Sequence, residues 1–433
     1  MKITIHNLWI FLGIISVLVA CQSDAQIDPS FVKETITKLA SDEMMGRKAG
    51  TPGAQKAANY IAEKYKEIGL KPFGTQKGFL QQFNLTKVKP ISINARVNKR
   101  KIELEHIFFY ANAPKIEIND LEEISVVTIE EDADFFQKVL NHTEIAESTL
   151  FLVDRAWKTQ FQKARKMMMQ EKYTTESEEN QKLIIWVLTD LTEAQDISFA
   201  STSEVSTINV SNVIGVLPGK SKKGEYVIYS GHHDHIGIIA GNAEDSIANG
   251  ADDDASGIAA VITLAQHFKK VNINERSLIF ACFTAEEIGL HGSNYFTTQI
   301  DVAKVIAGIN IEMIGKVSKF GKKEAFLTGY DRSDLGEILN QNLADSPYKI
   351  YPDPYPQYRL FYRADNASLA KKGVPAHTIS TSQIDNDKYY HHVDDEVETL
   401  DIQNMTEIIM LIAQGTESIV KGSTTPSRIE KVE

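Results

Sequence analysis

Cysteine is nearly absent from this sequence, since only Cys21 and Cys282 occur among its 433 residues. Cys21 ends an apolar run near the start of the chain, where we expect it to be modified, and this leaves Cys282 without a partner. A protein with one remaining cysteine has no intrachain disulfide, so a hydrophobic core has to stabilise its folded state. The apolar content of 42% is ordinary for a globular protein.

Positive charge is also scarce. The sequence has 46 Lys and Arg against 58 Asp and Glu, which gives a formal net charge of −12 at pH 7. It contains no basic patch or basic arm, so we expect no nucleic-acid partner. Beyond residue 19 no apolar run is long enough for a transmembrane helix.

The N-terminus has the pattern of an export signal. Lys2 supplies a positive charge, and residues 8–19 form an apolar run that is short for a membrane span. Residues 18–21 (LVAC) resemble a bacterial lipobox, which implies a signal peptide over 1–20, cleavage before Cys21 and a lipid on its sulfur. We therefore expect an exported protein, periplasmic or anchored to the outer membrane through Cys21 alone. The alternative is a plain secretory signal in which Cys21 occurs by chance.

Residues 21–28 are predicted to be a short tether, and the remaining chain of about 410 residues can form one large domain and a second module. Two helices are predicted at 31–39 and 53–69. In the second, apolar residues recur at helical spacing, and Gly69 occupies a typical capping position. The loop between the two helices offers no metal ligand that we can identify.

The segment 88–207 differs in character from the rest of the chain. It alternates short β-like runs with polar helical stretches such as 158–179, and it contains no cluster of histidines and acids. We interpret it as an inserted small α/β module without a catalytic role. The main domain is then predicted to comprise 29–87 and 208–420, followed by a C-terminal tail at 421–433.

Strands and helices alternate strongly from residue 213 onward. Apolar runs at 213–217, 226–229, 277–283 and 306–311 predict strands, and residues 255–268 predict a helix. This alternation predicts an α/β fold with a central mixed, mostly parallel sheet flanked by helices on both faces.

Histidines and acids directly follow three of the predicted strands. The groups are GHHDH (231–235), TAEE (284–287) and Glu312. In open α/β sheets ligands bind beyond the carboxyl ends of the strands, so these groups are expected to meet. Histidine offers a neutral nitrogen and a carboxylate offers an anionic oxygen, and the pattern therefore predicts a metal site.

Roles within this predicted site follow partly from spacing. His232 and Asp234 lie two residues apart on an extended segment, so their side chains point to the same side. We expect His232 to bind metal and Asp234 to orient a ligand. The adjacent Glu286 and Glu287 can divide the work, since one can bind metal while the other moves protons.

The aspartates at 252–254 admit two interpretations. The stretch GADDDASG resembles the start of an EF-hand calcium loop, but that loop needs Glu at its twelfth position, where this chain has Thr263. The alternative is one carboxylate that bridges two metals, and spacing alone does not choose among the three aspartates. Glu312 and either His391 or His392 would complete a ligand set.

Taken together, the motifs resemble peptidase family M28, the zinc metallopeptidases of bacterial aminopeptidase type. Six stretches occur in the order typical of that family: GHHDHIG, GADDDASG, FTAEEIGLHGS, NIEMIG, RADNASLAKKGVPA and YYHHVDDEVETLD. The insertion is similar in placement to the protease-associated modules of some members. Glu312 departs from the family pattern, which often has Asp there, and Asn366 replaces a frequent His.

The resemblance implies two zinc ions per chain. The implied ligands are His232 and Glu312 for one zinc, Glu287 and His391 for the other, and Asp253 bridging both. It further implies Glu286 as general base and Asp234 as the residue that orients a ligand, with His392 as the fallback for His391.

The implied activity is hydrolysis of N-terminal residues from peptides with a free N-terminus. Two other enzyme activities on the same fold, glutaminyl cyclase and carboxypeptidase, are alternatives. A non-catalytic peptide-binding lipoprotein is a third, although every implied ligand and the implied base are present.

Overall fold

The computed structural model describes residues 26–111, 113–130, 135–140, 145–175, 182–239 and 245–431. The predicted signal peptide, Cys21 and the start of the predicted tether lie outside these residues. The helices α1 to α10 span Pro29–Leu39, Pro52–Ile68, Phe135–Leu140, Lys158–Met168, Gly257–Val271, His291–Thr298, Leu335–Asn342, Asn366–Ala370, Ile402–Gly415 and Glu417–Val420. The strands β1 to β18 span Lys71–Pro72, Leu80–Val97, Arg100–Lys101, Ile107–Tyr110, Lys115–Ile118, Ser125–Ile129, Thr149–Val153, Lys172–Thr174, Ile184–Leu188, Ile197–Leu217, Lys222–His232, Gly237–Ile238, Ile247–Ala248, Arg276–Phe283, Val305–Ile311, Glu324–Leu327, Lys349–Pro352 and Ala376–Ser380.

A large mixed sheet forms the centre of the molecule. Its main path runs β17-β16-β18-β15-β11-β14-β10-β2-β3. The four central strands β18, β15, β11 and β14 are parallel, and antiparallel pairs lie towards both edges. This arrangement confirms the predicted α/β fold. All eight residues of β14 are buried, as expected for a central strand covered on both faces.

Helices cover both faces of this sheet. On one face α1, α2, α5 and α9 pack into a core that includes Ile61, Ile262 and Ile409. On the other face a second core contains Phe296 and Leu369 from α6 and α8. Helix α2 turns Ala57, Ile61 and Tyr65 inwards because they recur at helical spacing, and it ends at Gly69, whose φ of 78° suits glycine.

The inserted segment forms a separate four-stranded sheet in the order β4-β9-β7-β6. Phe108, Phe161 and Trp186 form an aromatic core on one face of this sheet together with α3 and α4. The module is joined to the main sheet by β2 and β10, which pair from Leu80↔Val213 to Val97↔Ile197 with one register shift between Thr202 and Ser203. The predicted boundaries at 87/88 and 207/208 therefore fall within two unbroken strands.

Three local expectations differ from the structure. The helix predicted at 158–179 ends at Met168, and the chain then forms β8, which pairs with β2. The predicted tether extends too far, because Ile27 is buried in the core and Asp28 caps α1 by accepting a hydrogen bond from the Ser30 N–H. Ile429 in the predicted tail is buried against the second core. None of the helices within the described residues is both long and apolar enough to span a bilayer.

Cys282 lies in the middle of the core on β14. It is fully buried, and its sulfur shares a hydrogen bond of 3.1 Å with the hydroxyl of Tyr65 on α2. Burial raises the pKa of the thiol to about 12. The thiol is free.

Candidate metal centre

Three parallel strands bring the predicted histidine and acids to one edge of the sheet. His232 is the last residue of β11 and pairs in register with Phe283, the last residue of β14. Glu286 and Glu287 follow β14 within four residues, and Glu312 directly follows β15. This placement follows from strand direction, because neighbouring parallel strands end at the same edge.

Asp253 lies between two histidines from distant parts of the chain. Its Oδ1 is 3.2 Å from Nε2 of His232, and its Oδ2 is 3.3 Å from Nε2 of His391. Burial would raise the pKa of Asp253, but the hydrogen bonds to the two histidines hold it well below its ordinary value. Each carboxylate oxygen thus faces a different side of the site, which is the geometry that a bridging ligand requires.

Glu287 faces the same side as His391. Its Oε2 lies 3.1 Å from Nε2 of His391, and its Oε1 lies 2.8 Å from Nδ1 of His235. His235 was not assigned a role from the sequence. Within the described residues, His235, Asp253 and Glu287 each offer a ligand atom within 4.8 Å of one another. The third histidine of GHHDH was the available signal, since it follows the same strand end.

His232 and Asp234 are adjacent, but their contact differs from the expected one. Nδ1 of His232 lies 3.1 Å from the main-chain oxygen of Asp234 and 3.9 Å from its carboxylate. The Asp234 carboxylate accepts a hydrogen bond of 3.1 Å from the main-chain N–H of Glu286. The Asp234 carbonyl therefore orients His232, and the Asp234 side chain fixes the position of Glu286.

The geometry of His232 supports a cation at this site. With a proton on Nδ1 facing the Asp234 carbonyl, Nε2 of the neutral ring carries a lone pair towards the Asp253 carboxylate. Two acceptors at that distance require a second proton or a metal ion between them. Buried carboxylates reinforce this requirement, because burial raises the pKa of Glu312 to about 8 and that of Asp234 to about 7. The donor set of imidazoles and carboxylates fits a divalent transition metal.

Glu286 lies against the same cluster and lines the open cleft above it. Burial raises its pKa well above its ordinary value; His232 opposes this shift, and Glu312 adds to it. A carboxyl group whose pKa is raised is a stronger base when it is ionised, so it can accept a proton and later return it.

The structure distinguishes Asp253 from its two neighbours. Asp254 accepts main-chain hydrogen bonds from His232, Gly257 and Met313, and it is buried. Asp252 accepts a hydrogen bond of 2.7 Å from the Gly315 N–H. Both neighbours therefore hold the backbone in place, and the calcium-loop interpretation finds no support in the directions of these carboxylates.

His391 and His392 also separate clearly. His391 contacts Asp253 and Glu287, whereas the side chain of His392 is 52% exposed and lies 3.2 Å from Asp394. The structure thus brings His391 into the cluster and leaves His392 outside it.

Arg47 is a central residue that the sequence did not reveal. It is fully buried, and its guanidinium donates to four main-chain oxygens, at 2.5 to 2.9 Å, from Leu39, His233, Asn249 and Gly250. It thereby joins the loop after β11 to the turn that leads into Asp253. The loop around Arg47 was expected to carry no ligand, and its role here is to hold the ligand-bearing segments together.

An open cleft leads to the cluster from the surface. Asp253, Glu286, Glu287 and Glu312 form its floor. Its walls combine apolar and polar side chains, namely Met313, Phe326, Thr328, Leu360, Arg363, Ala364, Thr378, Ser380, Ser382, Ile384 and Tyr390. Asn366 is buried beside this cleft, where its amide donates to the Phe361 carbonyl, and it is not part of the wall.

A family model describes the part of the chain that carries this cluster. Residues 212–416 match the model of peptidase family M28. This region belongs to peptidase family M28. The M28 region contains every residue of the cluster, and it begins within β10, the strand that also joins the inserted module to the main sheet.

Curated relatives match this chain over part of its length. Leucine aminopeptidase 1 of Aspergillus niger is 29% identical over 208 residues, which cover 45% of this chain and 52% of the relative. Aminopeptidase Y of Saccharomyces cerevisiae is 26% identical over 222 residues, which cover 47% of this chain and 37% of the relative. The match thus spans about half, or less, of the length of these relatives.

Solved structures share the fold over nearly the whole chain. An aminopeptidase from Aneurinibacillus sp. strain AM-1 superposes with a TM-score of 0.55 at 19% identity, covering 95% of this chain and 97% of that one. A zinc aminopeptidase from Bacillus subtilis gives a TM-score of 0.56 at 15% identity, with 92% and 97% covered. At these identities the likeness establishes the fold alone.

Proposed function

We propose that this protein is a dizinc aminopeptidase, which removes N-terminal residues from peptides by hydrolysis. The observation that carries this proposal is Asp253, whose two oxygens face His232 on one side and His391 on the other. One carboxylate between two sets of nitrogen and oxygen ligands suits a pair of metal ions. The names of two curated relatives, leucine aminopeptidase 1 and aminopeptidase Y, support the same activity.

The chain offers a ligand set for each zinc. His232 and Glu312 would hold one ion, Glu287 and His391 would hold the other, and Asp253 would bridge them. His235 lies within reach of Glu287 and Asp253 and is a candidate additional ligand or a partner that orients Glu287. When bound, two zinc ions polarise a substrate carbonyl and lower the pKa of a water molecule towards neutrality.

Glu286 is the residue that we assign to proton transfer. Its main chain is fixed by Asp234, and its buried carboxyl lines the cleft beside Asp253. Burial raises its pKa, which brings the group closer to the value at which it takes a proton from water and returns it to a leaving amine. We infer that Glu286 serves first as the general base and then as the general acid.

The cleft suits a substrate with a free α-amine. Its floor presents the carboxylates of Asp253, Glu287 and Glu312, and an ammonium group is attracted to such a surface. Export and a lipid anchor on Cys21 remain part of the proposal, and they rest on the N-terminal sequence pattern alone.

The test combines a metal count with an activity assay. Zinc per chain is measured on the purified protein, and the same sample is assayed on aminoacyl amides with free and with acetylated N-termini. We expect two zinc ions, cleavage of free amines only, and a loss of kcat of roughly 10²–10⁴-fold in Glu286→Gln with unchanged zinc content.

The possible results separate the alternatives. Release of the C-terminal residue from an N-acetylated dipeptide with a free carboxylate, assayed alongside, would instead indicate a carboxypeptidase. One zinc ion with cyclisation of N-terminal glutamine would indicate a glutaminyl cyclase. A zinc-free protein after reconstitution would contradict the ligand assignment and favour a peptide-binding role.

A further inference from the structure

Lys316 is a largely buried cation beside the cluster that the catalytic scheme does not use. Its ammonium lies 2.6 Å from Asp387, 3.4 Å from Asp252 and 3.7 Å from Asp395, and its side chain is 18% exposed. It also lies 5.1 Å from the ring centre of Tyr389. Burial would lower the pKa of Lys316, but the three carboxylates raise it, so the ammonium stays charged.

The carboxylates around Lys316 are attached to the ligand-bearing turn. Oδ2 of Asp395 accepts the main-chain N–H groups of Asp252 and Asp253 at 3.0 and 3.1 Å. The main-chain oxygen of Asp395 accepts the N–H of Ala251 at 2.9 Å. Lys316 is therefore ion-paired to both residues that form this contact, Asp395 and Asp252. Asp252 precedes Asp253, the proposed bridging ligand, in the chain.

The same ammonium also holds the loop that carries His391. This loop, residues 387–395, is bounded by two of the three carboxylates, Asp387 and Asp395. His391 itself has a φ of 57°, and its side chain is 38% exposed, unlike the fully buried His232. Within this loop Val393 is buried, whereas Lys388, His392 and Asp394 are exposed like His391, so the charged contacts at its two ends contribute to its order.

We propose that Lys316 is a positioning residue, which seats the His391 loop against the Asp253 turn so that both side chains meet one zinc ion. The proposal rests on the metal ligands assigned under the proposed function. Lys316 contacts none of those ligand side chains directly, and it acts through Asp387, Asp395 and Asp252. Without the ammonium, three buried carboxylates would lie together unpaired, and they would push the loop away from the turn.

The test measures zinc affinity by competition with a chromophoric chelator. Lys316→Met removes the charge at similar length, and Lys316→Arg retains it. Lys322→Met is the matched control, because Lys322 also pairs with a carboxylate, Asp401 at 2.7 Å, but is 67% exposed and outside the cluster. We expect Lys316→Met to weaken one of two zinc ions by about 10–100-fold, as for other residues that support metal ligands.

Several further results are specific to a positioning role. We expect Lys316→Arg to bind zinc close to wild type, Lys322→Met to match wild type, and kcat to fall in Lys316→Met with KM little changed. Asp387→Asn cuts only the loop end of the bridge and should weaken the same zinc ion, which covers the case in which Lys316→Met does not fold. Equal affinity of wild type, Lys316→Met and Asp387→Asn for both ions would overturn the proposal.

The experiment separates this inference from the proposed function. A wild type that binds two zinc ions but cleaves no peptide would contradict the aminopeptidase activity, and the affinities of the variants would still decide the role of Lys316. A wild type that binds no zinc would overturn both.

Discussion

The main domain and the inserted module both contain parallel strands packed against helices, but they differ in the surroundings of the acidic residues at the strand ends. In the module the parallel strands β7 and β9 are also followed by acids, Asp154 and Asp190. Asp154 caps a short helical turn by accepting the Ala156 N–H, and Asp190 pairs with Arg155 at the surface. In the main domain Asp234 is buried beside histidines, and Glu286, Glu287 and Glu312 are partly buried in the same cluster. Burial, more than the presence of acids at a sheet edge, therefore marks the site.

The largest expected difference between the two regions appears when one carboxylate is removed from each. Asp253→Ala removes the proposed shared ligand, so we expect loss of bound zinc and a fall in activity of at least about 10³-fold. Asp190→Ala removes an exposed carboxylate of the module and should change neither quantity. Zinc content and kcat/KM check both variants, and a zinc-loaded Asp253→Ala protein would remove the basis of the comparison.

The next effect concerns two arginines. Arg47→Met leaves four buried main-chain oxygens without their donor, and we expect it to lower the free energy of unfolding by about 3–5 kcal/mol. Arg155→Met breaks a half-exposed pair in the module, for which we expect a change of about 0.5 kcal/mol or less. Urea denaturation measures both. Similar losses in the two variants would contradict the role assigned to Arg47.

A smaller effect is expected in the pH dependence of the metal-free protein. Burial raises the folded-state pKa of Glu312 to about 8, above its unfolded value, so the folded state binds more protons and loses stability as pH rises from 6.5 to 8. His391 acts in the same direction: burial opposes the shift, but its carboxylate partners raise its pKa to about 10. From Glu312 alone we expect a loss of about 1–2 kcal/mol over this range after chelation of the metal, and solvent screening makes the contribution of the partly exposed His391 smaller.

The module supplies the internal reference for that measurement. Burial lowers the pKa of Lys172 to about 7. The contribution of this group to the stability of the folded protein therefore increases as pH rises above 7, whether or not metal is bound. The pH dependence of the free energy of unfolding is therefore compared between chelated and zinc-loaded protein, and the difference between the two reports the candidate metal ligands alone. An equal slope in both states would indicate that the carboxylate cluster does not titrate as described.

The smallest effect is expected from removing the module. Thr86 and Thr207 are paired across the β2–β10 ribbon, so an Asn-Gly turn can replace residues 87–206 between them. We expect an unchanged zinc content and a kcat/KM for aminoacyl amides within about threefold of the full chain, since the module contributes no residue to the cluster. Loss of zinc from this variant would show that the module supports the site.

The meeting of the candidate metal ligands at one sheet edge could be anticipated because it depends on strand direction. His232, Glu286, Glu287 and Glu312 each follow an apolar run, and parallel strands necessarily bring such residues together. The choice of Asp253 could not be made from spacing. It depends on the main-chain donors that engage Asp252 and Asp254, and two of these, Gly315 and Met313, lie about 60 positions away in the chain.

The parts that sequence reasoning missed depend on long-range contacts. Arg47 bonds to oxygens up to 203 residues away, and a loop with Gly and Pro around it gives no sign of them. Lys316 follows a recognised motif, but its three carboxylate partners lie in two other segments. The length of β10 was missed for another reason, since its outer half alternates polar residues and lacks the apolar run by which the strand at 213–217 was predicted.

The buried thiol of Cys282 provides a way to watch this protein open. Thiol reagents react with the thiolate, and a group with a pKa of about 12 beneath α2 on a central strand is protected in the closed state. In a preparation whose other cysteine is acylated or absent, the rate of labelling with such a reagent therefore reports how often the central sheet separates from its helices. The labelling rate of Cys282 thus measures the transient opening of the core. Zinc that holds the strand ends together should lower this rate.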